Sequence, residues 1–165
     1  GLIGLPNAGK TTLLNHLTRA QGKVGAYPFT TLEPNLGDAH GIIISDIPGL
    51  IEGAADGKGL GHKFLRHIRR TKLLVHLISV ENEDPVAAYR VIRKELEQFD
   101  PELAQKKEIV VLTKTDLIPD LAALNRMVVD MQNVAPIVTT LAAYDDAQVK
   151  TLRDMLTREI GNPSS

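Results

Sequence analysis

The sequence predicts an α/β domain with a largely parallel sheet, and three observations carry that prediction. Apolar stretches bounded by turn residues alternate with amphipathic ones along the chain. A length of 165 residues suits one domain around a single core. A glycine-rich loop also lies between the first apolar stretch and the first amphipathic one, where a strand would turn into a helix.

In order, strands are expected at Gly1–Gly4, Gly41–Asp46, Leu73–Val80, Glu108–Thr113 and Pro136–Thr140, each a short apolar run. Helices are expected between them at Lys10–Ala20, Gly61–Thr71, Pro85–Phe99, Leu121–Asn133 and Asp145–Ile160. Their apolar residues recur at helical spacing, as Val86, Val91, Leu96 and Phe99 do. From Gln21 to Gly37 there is no clean period, and two prolines and three glycines mark a functional loop. Gly53, Gly57, Gly59 and Gly61 mark a second. The close, Gly161-Asn162-Pro163-Ser164-Ser165, reads as a helix stop and then linker, giving a domain over 1–161 and a tail over 162–165. A core strand starting at Gly1 with no lead-in suggests a domain cut from a longer chain.

Composition narrows the function. Hydrophobic residues at 43% and charged residues at 24% argue against a disordered or fibrous chain. Nineteen Lys and Arg against twenty Asp and Glu leave no global basic field for coating DNA or an anionic membrane, so neither partner is expected. Without cysteine there are no disulfides or thiolate metal sites, which is compatible with the expected cytoplasmic location. The apolar run Leu73 to Val80, interrupted by His76, is far short of the roughly 20 residues needed to span a bilayer.

Gly4-Leu5-Pro6-Asn7-Ala8-Gly9-Lys10-Thr11 fits GxxxxGK[ST] between a strand and a helix, the context of a phosphate-binding P-loop. Its glycines let backbone N–H groups approach the β-phosphate, Lys10 supplies charge to the β/γ oxygens, and the Thr11 hydroxyl is placed for Mg²⁺. The plainer alternative is a glycine-rich turn with a solvent-facing lysine. Asp46-Ile47-Pro48-Gly49 ends an apolar strand at the edge where α/β sheets place ligands. Asp46 would reach Mg²⁺ through water there, and Gly49 would offer an N–H to the γ-phosphate. Thr113-Lys114-Thr115-Asp116 ends another strand. A carboxylate there accepts from both N1–H and the 2-amino group of guanine, a pattern adenine lacks. Taken alone, Asp116 reads better as a helix N-cap ahead of Leu117-Ile118-Pro119, and the first two motifs in order favour the base-binding role.

These motifs, together with Tyr27-Pro28-Phe29-Thr30-Thr31-Leu32, Pro34-Asn35-Leu36-Gly37, Asp46-Ile47-Pro48-Gly49-Leu50-Ile51-Glu52-Gly53-Ala54 and Gly59-Leu60-Gly61, resemble the translation-factor-like GTPases, and the Obg family closely. The resemblance implies a Ras-like P-loop G domain: a mostly parallel six-stranded sheet, helices on both faces and a short antiparallel edge hairpin. It implies GTP and GDP as ligands, slow GTP hydrolysis as a switch, and the large ribosomal subunit as partner of the full-length protein. It extends the nucleotide contacts to Thr12, to Phe29, Thr30, Thr31, Leu32 and Glu33, and to Leu141-Ala142-Ala143, with the Ala142 N–H facing guanine O6. Lys10, Thr31 and Gly49 then serve the reaction, and Thr11, Thr31 and Asp46 hold Mg²⁺, with Thr30 the nearest rival of Thr31.

Three departures from the family pattern stand out. Leu141 replaces a serine, Thr113 replaces an asparagine while keeping a hydroxyl able to tie loops together, and only eight residues lie between Gly37 and Asp46, which predicts a stunted hairpin. Leu50 occupies the place of a water-positioning glutamine, which leaves open a nucleotide sensor with incidental hydrolysis. Asn7 in GxPNxGK corresponds to an asparagine that helps hold K⁺ in similar GTPases, or else it satisfies loop backbone. Lys63, Arg66 and Arg70 fall on one helix face, readable as a ribosomal RNA contact or a solvated surface. His16, His67 and His76 sit in element patterns and read as structural.

Overall fold

The computed structural model describes residues 1–5, 8–18, 23–25, 36–39, 42–45, 70–142 and 146–161. In chain order these form β1 (Leu2–Gly4), α1 (Lys10–Thr18), β2 (Lys23–Gly25), β3 (Leu36–Ala39), β4 (Ile42–Ser45), β5 (Leu73–Ser79), α2 (Pro85–Phe99), α3 (Pro101–Ala104), β6 (Lys107–Thr113), a 3₁₀ turn (Thr115–Leu117), α4 (Leu121–Gln132), β7 (Val138–Leu141) and α5 (Asp146–Gly161). The expected helix at Gly61–Thr71 lies almost wholly outside the described residues.

Four strands make a parallel sheet in the order β1-β5-β6-β7. Every residue of β5 is buried, and so is all of β6 after Lys107, because helices cover both faces. The pleat sends alternate side chains to opposite sides. Val75, Leu77, Ile109 and Val111 join Leu13, Leu14 and Leu17 of α1 and Val149, Leu152 and Leu156 of α5 in one core. Ile78, Val110 and Leu112 join Ala88 and Tyr89 of α2 and Met131 of α4 in the other. Asp84 and Asp120 cap α2 and α4, accepting the Ala87 and Ala122 N–H groups at 3.1 and 3.0 Å.

A second, antiparallel ladder holds β2, β3 and β4. Thus the described strands form ladders of four and three, where one six-stranded sheet was expected, and no pairing joins β4 to β1 among the described residues. The ladder between β3 and β4 is short: Leu36 faces Ser45 and Ala39 faces Ile42. Lys23–Gly25, in the segment read as loop, is a three-residue edge strand pairing with β3.

His76 interrupts the apolar run of β5 and is fully buried, stacked on Tyr89 with ring centroids 5.2 Å apart. Its Nδ1 lies 3.6 Å from Glu108 Oε2, an electrostatic neighbour rather than a hydrogen-bond partner. Arg93 Nη1 donates to that oxygen at 3.2 Å, and its Nη2 donates to the Ala104 carbonyl at 2.7 Å. Burial works to raise the Glu108 carboxyl, but His76, Arg93 and the Tyr89 hydroxyl outweigh it and hold the group below the usual carboxylate range. Burial, then the Glu108 charge, pushes the Tyr89 phenol up to about 12.

Candidate nucleotide site

The carboxyl ends of the parallel strands meet at one edge, where Ser79 faces Thr113 and Thr113 faces Leu141 across the ladders. A cleft of about 540 Å³, counting its open mouth, lies along this edge. Ala8 and Gly9 form its phosphate-loop side, Thr113 and Lys114 its floor, and Leu141 and Ala142 the opposite wall.

Backbone geometry shapes the first side. Gly4 ends β1 with φ +155°, and a Cβ there would sit 2.5 Å from the Leu77 carbonyl oxygen. Gly9 has φ +89°, a conformation that strains any residue with a side chain. Lys10 then opens α1, with Thr11 and Thr12 exposed in its first turn. Of the expected magnesium ligands, Thr11 is the one described, and an exposed alcohol oxygen just past the loop is a hard donor that suits the ion.

Side chains shape the other side. The buried Thr113 hydroxyl donates to the Ala8 carbonyl at 2.9 Å, tying the end of β6 to the phosphate loop. Lys114 has φ +61° and ψ 33°, left-handed for a non-glycine residue, and its Nζ donates to Glu81 Oε1 at 2.5 Å. Lys114, then the Ser79 hydroxyl, holds the Glu81 carboxyl below its ordinary value. Thr115 is buried and Asp116 exposed in the 3₁₀ turn. Ala142 donates its N–H to Gln148 Oε1 at 2.5 Å. Leu141 is buried in the core with Val149.

The structure therefore brings Gly4, Ala8, Gly9, Thr12, Thr113, Lys114, Leu141 and Ala142 to one edge. Pro6, Asn7, Phe29, Thr30, Thr31, Leu32, Glu33, Asp46, Ile47, Pro48, Gly49 and Ala143 lie outside the described residues, as do Lys63 and Arg66. Sequence reasoning missed Glu81, Gln148 and the position of His16 on the wall of the cleft. Gln148 follows Asp145 by three residues, as the closing member of a capping box does, but that pattern predicts a bond to the Asp145 N–H and not the one to Ala142. No comparable pattern marks Glu81.

A family model described as "50S ribosome-binding GTPase" matches residues 1–114. GTPase Obg of Desulfatibacillum aliphaticivorans is 59% identical over 125 residues, covering 71% of this chain and 37% of that protein. GTPase Obg of Prosthecochloris aestuarii is 46% identical over 169 residues, covering 99% of this chain and 50% of that protein. The chain thus spans half or less of these relatives' length. Among solved structures, SsGBP in complex with GDP aligns with TM-score 0.63 at 18% identity over 96% of this chain and 48% of that one. An S. thermophilus NFeoB variant bound to GDP aligns with TM-score 0.60 at 19% identity over 91% and 59%. These two likenesses show the fold.

Proposed function

The chain belongs to the 50S ribosome-binding GTPase family, with Obg GTPases as its relatives, and on that premise we propose that it binds GTP and hydrolyses it slowly as a molecular switch. One observation carries the reading: the glycine-shaped end of the phosphate loop, Ala8 and Gly9, and the start of the Thr113–Asp116 segment, Thr113 and Lys114, line one cleft and are tied by the Thr113–Ala8 bond. In this reading backbone N–H groups between Gly4 and Gly9 and the Lys10 ammonium bind the phosphates, and Asp116 accepts from the guanine edge. Thr11, with Thr31 and Asp46, would hold Mg²⁺, which when bound offsets charge building on the phosphate oxygens. Thr31 and the Gly49 N–H respond to the γ-phosphate, making the GTP and GDP states distinct.

Leu50 offers neither donor nor acceptor to water, so unassisted turnover falls at about 10⁻⁴–10⁻² s⁻¹. Acceleration then comes from elsewhere: K⁺ held at Asn7, as in similar GTPases with an asparagine at that place in the loop, would supply positive charge, whereas an Asn7 that only satisfies loop backbone gives no K⁺ dependence. The full-length protein would act in the cytoplasm on the large ribosomal subunit. No helix among the described residues is long and apolar enough to cross a membrane.

The test is nucleotide binding and turnover by the chain, with and without large ribosomal subunits, in K⁺ and in Na⁺ at fixed ionic strength. GDP should bind far more tightly than ADP, and Asp116→Asn should move the preference toward xanthine nucleotides, whose 2-oxo group accepts from an amide. Equal binding of ADP and GDP sinks the reading.

A further inference from the structure

Gln148 stands in the first turn of α5, and its Oε1 takes the Ala142 N–H across six residues. Ala142 cannot easily turn that N–H elsewhere, because Leu141 is paired with Thr113 and buried against Val149. The same N–H is the donor that the proposed guanine site aims at the 6-oxo group, and this inference rests on that reading. One N–H carries one hydrogen, and a short bond to a carboxamide oxygen uses it.

We propose that Gln148 is an internal competitor of the base, its carboxamide oxygen satisfying the Ala142 donor until a 6-oxo purine replaces it. A partly buried N–H left without a partner costs free energy, so a ligand that brings its own acceptor can take the place of Gln148. A 6-aminopurine presents a donor at that position and cannot take over. Gln148 therefore sets guanine-nucleotide affinity through the 6-oxo group, holding it below what the bare Ala142 donor would give while leaving a base without that group unaffected. A glutamine that merely closes the loop has the opposite signature, since its removal would loosen the wall and weaken every base.

Equilibrium binding of GDP and of 2-aminopurine riboside 5′-diphosphate, which lacks the 6-oxo group, separates the two. Gln148→Ala should tighten GDP about 2- to 10-fold while leaving the 2-aminopurine ligand unchanged, as expected for loss of one competing hydrogen bond. Gln148→Glu keeps the acceptor and adds charge, which strengthens its hold on the N–H, so it should weaken GDP and again spare the analogue. Unchanged GDP affinity in Gln148→Ala, or equal weakening of both ligands, overturns the proposal. If the unaltered chain binds ADP as well as GDP, the guanine reading fails first and takes this inference with it.

Discussion

The two walls of the cleft are built by opposite means. On the phosphate side the chain relies on backbone shape, with Gly4 and Gly9 in conformations and contacts that a Cβ would disturb. On the side proposed for the base it relies on side chains holding other parts of the chain: Thr113 on Ala8, Glu81 on Lys114, Gln148 on Ala142. Backbone shape suits a ligand group common to every nucleotide, whereas side chains can be tuned to one base. Damage to the first wall should therefore cost all nucleotides alike, and damage to the second should change their ratio.

The largest expected effect is at Gly4. In Gly4→Ala the new Cβ would lie 2.5 Å from the Leu77 oxygen and 3.1 Å from the Ala8 Cβ. Backbone cannot yield there cheaply, so urea unfolding should show a loss of about 3 kcal/mol, with GDP and ADP binding falling together. A variant as stable as the parent would break the contrast.

Glu108→Gln supplies a control away from the cleft. Losing the charged partner of Arg93 should cost about 2 kcal/mol while the GDP to ADP ratio stays put. Because the folded state holds the Glu108 carboxyl below its ordinary 4.5, its contribution is present above that pH and is lost as pH falls through the lower folded value. Acid titration of stability should thus be steeper in the parent than in the glutamine variant below about pH 4.5.

Thr113→Val removes the bond from the end of β6 to the phosphate loop and takes the Thr113 donor away from the Ala8 carbonyl. A cost of about 1.5 kcal/mol is expected, with GDP and GTP weakened alike; a change confined to GTP would place the residue in the γ-phosphate response instead. The smallest effect belongs to Glu81→Gln. Its partner Lys114 and the pair itself are solvent-screened, so GDP should weaken only about 2- to 3-fold with ADP unmoved.

The same division decides what the sequence could reveal. The phosphate loop was legible because strand, glycines, lysine and helix follow one another within a dozen residues, and local order dictates local shape. β5 and β6 were legible from their short, largely apolar runs, as a strand covered on both faces requires. β2 was not, since Lys-Val-Gly carries no period and gains its strand form from β3. Glu81 escaped because its partner is 33 residues away and a surface glutamate has many uses. Gln148 escaped because its partner is a main-chain N–H, which leaves no complementary residue to notice.

The Thr113–Ala8 bond also has a consequence for the order in which the molecule is made. It spans 105 residues, and β1 finds its partner only when Val75 to Leu77 have formed. A ribosome adding about 5–20 residues per second would take roughly 5–20 s to supply the second half of that bond. Through that interval the nascent phosphate loop has its sequence but not its floor, so the earliest part of the site to be synthesised is among the last to be completed. Ligand binding would then report that β6 has docked, and a ribosome-stalled chain ending before Thr113 should show none.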